Sequence, residues 1–187
     1  DAIFELERFL DKYKNHPDTD YAYYLLGICH YNQIIDEKKD LGEIIKAKEY
    51  FTLLTNKYPN TDFSEDAKFK LELIEEILAS KELYLANYYL EREKWIPAIN
   101  RFKTVINDYD TTIYVEEALH RLVELHFKLG LIDESKKYAS LLGYNYQSSE
   151  WYEESYKILN KNYVKTAKKV DPEKERSILQ KFKDLLK

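Results

Sequence analysis

One interval pattern constrains this chain more than any other feature. Ala98 is followed by Tyr109 eleven residues on and by Ala118 nine further on. Ala47, Tyr58 and Ala67 repeat both intervals, and so do Ala2, Tyr13 and Ala22. Four residues after the first alanine of each set stands a large apolar side chain: Leu6, Phe51 or Phe102. Two antiparallel helices approach closely only where a small side chain faces a large one, so fixed offsets of this kind describe a repeated helix pair.

The stretch LYLANYYLEREKWIPAINRFKTVINDYDTTIYVEEA (Leu83 to Ala118) contains one whole unit, in which Ala86, Tyr89, Ala98 and Phe102 keep the tetratricopeptide (TPR) offsets. The sets start 45 and then 51 residues apart, longer than a bare repeat of about 34, so loops or lengthened helices take up the difference. The expected fold is all-α, a TPR helix-turn-helix solenoid winding as a right-handed superhelix. Residues 1–165 form the solenoid and residues 166–187 a C-terminal amphipathic tail.

Composition agrees. Four glycines and four prolines are too few for the turns of an all-β chain. A charged share of 34 % beside a hydrophobic share of 44 % suits helices that each bury one stripe. A net charge of −5 argues against a nucleic-acid partner, whose phosphates require neutralising. No apolar run approaches the roughly 18–20 residues of a spanning helix. The lone Cys29 rules out an internal disulfide and reads as a small core residue.

In chain order, Asp1 to Lys14 is the second helix of a pair, and Asn15 to Asp20 is a turn. Tyr21 to Ile35 is the next helix, with Gly27 where its neighbour crosses. Asp36 to Glu43 is a charged exposed loop, and Ile44 to Lys57 a helix ended by Tyr58-Pro59. Thr61 or Ser64 caps a single long helix that meets no breaker until about Glu91. Trp95 to Asp108 follows, with Pro97 tolerated in its first turn. Thr111 or Thr112 caps a helix that runs to Leu129 and stops at Gly130. Asp133 to Leu142 ends at Gly143, and Ser149 to Tyr163 covers the last face. In the tail, Asp171-Pro172-Glu173 starts a helix whose apolar face is Ile178, Leu179, Phe182, Leu185 and Leu186. It reads as a terminal helix capping the solenoid, or as a partner-binding or linker helix.

No residue pattern for catalysis emerges. There is no G-x-S-x-G, no glycine-rich phosphate loop and no Cys–His pair at a plausible spacing. His120 and Glu124 share a helix face, but His126 is rotated from them by roughly 240°, against a zinc site from that segment. Glu75-Glu76 and Glu153-Glu154 read as solvated helix faces. The eighteen tyrosines are expected between helices with hydroxyls at the rim, some of them free to bind peptide.

The run NYYLEREKWIPAINRFKTVINDYDTTIYVEEALHRLVE, with HPDTDYAYYLLG upstream and NKYPNTDFSEDA between, resembles the BamD family, TPR lipoproteins of the outer-membrane β-barrel assembly (BAM) complex. The ending LGLIDESKKYASLLGYNYQSSEWYEESYKIL resembles its alphaproteobacterial branch. The resemblance covers about Ala2 to Tyr163. It implies a non-enzymatic scaffold without cofactors on the periplasmic face of the outer membrane. It implies five TPR units, C-terminal ones binding the barrel-proximal POTRA domain of BamA and N-terminal ones receiving unfolded outer-membrane protein substrates. Other BAM lipoproteins are implied partners. The lipidated cysteine and about one and a half repeats are expected to precede this stretch, so that any membrane contact runs through an anchor absent from it.

Carried onto this sequence, the family's Asn-Arg pair is Asn100-Arg101, with Arg101 as the first BamA contact. An intramolecular ion pair to a nearby Glu is the alternative for it. Glu91, Arg92 and Lys94, in the turn before Trp95, are further partner-binding candidates. Glu93 stands where many relatives have Gly, which puts the shape of that turn in question, and Trp95 is assigned to the core. A generic TPR peptide-binding adaptor or co-chaperone is the second reading. Its groove would show Lys, Arg and Asn on successive first helices, which here carry mainly Tyr, Leu and Glu. An enzyme-associated domain is a third, requiring His120 and His126 to converge in a pocket.

Overall fold

The computed structural model describes residues 2–33 and 41–160. Among them are eight helices: α1 (Ala2–Lys12), α2 (Thr19–Tyr31), α3 (Gly42–Lys57), α4 (Asp62–Glu91), α5 (Trp95–Asp108), α6 (Val115–Lys128), α7 (Ile132–Asn145) and α8 (Glu150–Leu159). Each packs on the next, and α2 also reaches α4 and α6 reaches α8. That staircase is a helical-repeat solenoid. The tail 166–187, most of the Asp36–Glu43 loop and the end of the helix expected to reach Tyr163 lie outside the described residues.

The interval pattern is the packing code. Ala47, Phe51, Ala67, Ala98, Phe102 and Ala118 are completely buried, and Ala22 nearly so. Each intervening tyrosine leaves the helical region, at φ −131° for Tyr58 and −135° for Tyr109, and so ends its helix. The freed carbonyls are capped by hydroxyls: Ser64 Oγ donates to Tyr58 O at 2.6 Å, and Thr112 Oγ1 to Tyr109 O at 2.8 Å. The first unit is looser. Ala2 is exposed, and α1, which packs on α2, buries no residue completely.

A fourth unit uses the same intervals with serine in place of alanine: Ser135, Tyr146 and Ser155. Tyr146 ends α7 at φ −135°, and both serines are fully buried. Their hydroxyls are satisfied, Ser135 Oγ donating to Val123 O at 2.9 Å and Ser155 Oγ lying 2.9 Å from His120 Nδ1.

Helix α4 is one continuous helix of 30 residues, capped by Thr61, whose Oγ1 accepts from Ser64 N at 3.2 Å. Ala67, Ile74 and Leu78 along its N-terminal part join one core with α3, and Leu83 and Ala86 further on join another with α5 and α6. Gly27 is the expected crossing point; a Cβ there would lie 2.4 Å from the Phe51 ring. Tyrosine hydroxyls tie helices at the rim, Tyr24 donating to Asp66 and Tyr50 to Glu7. Both phenols are pushed up to about 12, by burial first and then by the accepting carboxylate.

Several boundaries differ from expectation. Helix α2 starts at Thr19 and ends at Tyr31, short of Ile35, and Gly42 and Glu43 belong to α3 rather than to a loop. Helix α6 begins at Val115, behind Tyr114, with no side-chain cap, and the Thr112 hydroxyl donates to Tyr109 O instead. Gly143 does not end α7. It lies inside the helix, where a Cβ would come 2.6 Å from Tyr152. Cys29 is only half-buried. Gly130 does stop α6, at φ +77°.

Truncating Phe102 to Ala should lower the unfolding free energy by about 3–5 kcal/mol. Phe4→Ala, at a side chain 63 % exposed, should change it by less than about 0.5 kcal/mol. Urea denaturation of the two variants beside the parent chain measures both.

Candidate functional site

The candidate residues cluster where α4 turns into α5. Three residues connect the helices, and the backbone closes over them in a Schellman arrangement. Lys94 N donates to Tyr89 O at 2.9 Å and Glu93 N to Leu90 O at 3.0 Å. Glu93 sits at φ +56°, the left-handed conformation glycine adopts without penalty. The turn between α6 and α7 is built the same way with Gly130, whose N–H donates to Phe127 O while Leu131 N donates to His126 O. The glutamate therefore keeps the turn's shape under strain.

From this turn α5 presents Ile96, Pro97, Asn100, Arg101 and Thr104 along a groove of about 360 Å³ shared with Tyr89 of α4. Ile96 is 65 % exposed and Asn100 is also exposed, while Ala98, Ile99 and Phe102 point into the core. Arg101 is held by Glu82, its Nη1 donating to both carboxylate oxygens at 2.9 Å. The hydrogen bond to Glu82 also raises the guanidinium's pKa. Glu82 is 15 % exposed and Arg101 42 %, so the pair is anchored on the α4 side and open on the other. The intramolecular partner weighed for Arg101 is real, and it fixes the guanidinium's direction.

The groove brings Asn100 and Arg101 together but not the other three candidates. Arg92 folds back over the Tyr88 ring, 3.5 Å from its centre, and donates to Tyr88 O at 3.2 Å. Glu91 and Lys94 are exposed at the turn. Trp95 is half-buried against the α4–α5–α6 core with Lys128 Nζ 4.1 Å above its ring. Sequence reasoning missed Glu82 and Ile96. Glu82 lies nineteen residues from Arg101 on a helix whose register alone decides that they meet.

Comparison with known proteins gives the family of the chain. A family model described as "YfiO: Outer membrane lipoprotein" matches residues 1–142. The outer membrane protein assembly factor BamD of Caulobacter vibrioides is 37 % identical over 167 residues, covering 89 % of this chain and 55 % of the relative. That of Rickettsia prowazekii is 40 % identical over 163 residues, covering 87 % and 64 %. BamD of Vibrio cholerae is 31 % identical over 154 residues, covering 77 % and 64 %. The chain belongs to the BamD family. It spans 55–64 % of the length of these relatives.

Beyond residue 142, where the match to the BamD family model stops, α8 is fixed to α6 by a buried histidine. His120 Nδ1 meets Ser155, its Nε2 lies 3.6 Å from Glu124, and its ring rests 5.1 Å from that of Trp151. His126 points elsewhere: its Nδ1 lies 2.7 Å from Leu122 O and its ring packs on Tyr138. Among the described residues no three His, Cys, Asp or Glu gather as a metal site. Burial lowers the His120 pKa and outweighs the opposing pull of Glu124.

Two outcomes follow. A histidine whose folded pKa is depressed gives up stability as pH falls below its unfolded value of about 6.5. Denaturation at pH 7.5, 6.5 and 5.5 should show stability declining with acid, and His120→Gln should flatten that decline. Glu93→Gly should raise the unfolding free energy by about 1 kcal/mol through relief of the left-handed residue, read from the shift in urea midpoint.

Proposed function

We propose that this chain is a non-enzymatic scaffold of the outer-membrane protein assembly machinery, held at the periplasmic face of the outer membrane. In this reading its C-terminal repeats bind the barrel-proximal POTRA domain of BamA. The N-terminal repeats receive unfolded outer-membrane proteins, and other lipoproteins of the complex complete the assembly. Family membership supports the coarse role, since the relatives are named as outer membrane protein assembly factors. The matching family is described as an outer membrane lipoprotein, which supports attachment through a lipid anchor; no helix among the described residues is long and apolar enough to cross a membrane.

The observation that carries the finer reading is the Arg101–Glu82 pair beside exposed Ile96. An interface anchor works best when an apolar side chain and a pre-oriented Arg stand side by side on rigid elements. Here both rise from α5, and Glu82 has already removed much of the arginine's rotational freedom. The guanidinium has five N–H donors, and those not directed at Glu82 are available to a carboxylate or carbonyl on the POTRA surface.

Calorimetric titration with the barrel-proximal POTRA domain of the same organism's BamA tests this. Arg101→Glu, which also sets two carboxylates against each other at Glu82, should weaken binding by at least about 2 kcal/mol while circular dichroism stays that of the parent. Arg101→Ala should weaken it in the same direction. Unchanged affinity in both variants removes Arg101 from the interface.

A further inference from the structure

The chain holds two turns of one shape with different side chains. The α4–α5 turn closes with Lys94 N donating to Tyr89 O and Glu93 N to Leu90 O, and the α6–α7 turn with Leu131 N donating to His126 O and Gly130 N to Phe127 O. Their last residues share a conformation, φ −88° and ψ 75° at Lys94 against φ −85° and ψ 64° at Leu131. Each position stands 37 residues from its counterpart. Where the first turn carries Glu91, Arg92, Glu93 and Lys94, the second carries Lys128, Leu129, Gly130 and Leu131, between Phe127 and Ile132. Phe127, Leu129, Leu131 and Ile132 are 36–50 % exposed. Gly130, at φ +77°, serves the backbone. The leucines do not, because Arg92 and Lys94 hold the same places in a turn of the same shape. Adjacent apolar side chains left in water with no demand from the fold mark a surface that another molecule covers.

We infer that the α6–α7 turn is an apolar contact for the same partner domain that Arg101 engages, an inference that rests on the reading of Arg101 as an interface residue. Continuity argues for it. Lys128 Nζ stands 4.1 Å above the Trp95 ring, so the end of α6 lies against the first turn of α5. There the exposed Ile96 opens the groove of Asn100 and Arg101. The apolar turn and the groove are therefore neighbours on one edge of the solenoid, and a partner seated on Ile96 and Arg101 meets Leu129 and Leu131 next.

The setting suits a protein surface rather than a lipid one. Asp133, whose side chain is 95 % exposed, and Glu134 follow Ile132 directly, and Lys136 and Lys137 come next. Apolar side chains inside a rim of both charges have the anatomy of a protein–protein contact. Carboxylates beside the apolar tip would instead be costly to carry into a bilayer surface. The partner face that fits is apolar, with a carboxylate or carbonyl at the end that meets Arg101.

Calorimetric titration with the barrel-proximal POTRA domain of the same organism's BamA tests the inference through two double variants. L129R/L131K installs the residues of the α4–α5 turn, so the urea midpoint should stay that of the parent while affinity falls at least tenfold. L129S/L131S, which adds no charge, should lower affinity in the same direction. Affinity unchanged in both double variants, while Arg101→Glu still weakens binding, overturns the inference and leaves the reading of Arg101 standing. Loss confined to the turn variants keeps the turn as a contact and removes Arg101. Unchanged affinity in all three variants, or no saturable binding by the parent chain, overturns both. Flotation with phosphatidylcholine vesicles that the parent chain shows and L129S/L131S loses assigns the turn to a lipid surface and also overturns the inference.

Discussion

A Cβ added to Gly27 would lie 2.4 Å from the ring of Phe51, and on such close approaches the whole molecule depends. Two helices joined by a short turn gain little from their own backbone bonds, which they would also make alone. What holds them side by side is the area removed from water where a large ring meets a small residue. Phe51 fills that role between α2 and α3, and Phe102 between α4, α5 and α6, with Ala47, Ala67, Ala86, Ala98 and Ala118 as the small partners. Because each contact fixes the distance between one pair and the next, errors cannot be averaged away along the stack. The small residues are therefore fully buried wherever a helix lies on both sides.

Turn chemistry follows from the same geometry. A helix that ends at a crossing must surrender carbonyls inside the protein, and here a tyrosine leaves the helical region while a hydroxyl from the next turn caps its carbonyl. The buried serines Ser135 and Ser155 extend this logic: a small residue serves the crossing, and its hydroxyl bonds across to α6. Polar groups in this core are thus fasteners between helices.

The candidate interface inherits its rigidity from these contacts. Arg101 lies between Ala98 and Val105, two completely buried residues on the same helix, so its backbone has little freedom, and Glu82 fixes the side chain from the other helix. A scaffold that meets its partner through such a residue loses little entropy on binding. The strained Glu93 belongs to the same setting: the turn that aims α5 holds its Schellman closure even with a side chain where glycine would be relaxed.

The sequence by itself determined the repeat, because burial of small against large residues is written as intervals that survive any change of loop. Ala47, Ala67, Ala98 and Ala118 were legible as contacts, the long α4 as a run without breakers, and Gly130 as a stop. The BamD resemblance was legible in longer strings of residues, and the Asn100-Arg101 pair was singled out as what that resemblance implies. What only the tertiary structure decided were relations set by register between distant positions. Glu82 orients Arg101 from nineteen residues away, α6 starts behind Tyr114 rather than behind Thr111 or Thr112, and Gly143 sits inside a helix to admit Tyr152. His120 and Ser155 meet because α8 folds back onto α6. Spacing along a chain encodes which face of a helix is buried; which side chain on the next helix it meets depends on where the intervening turn sets the second helix down.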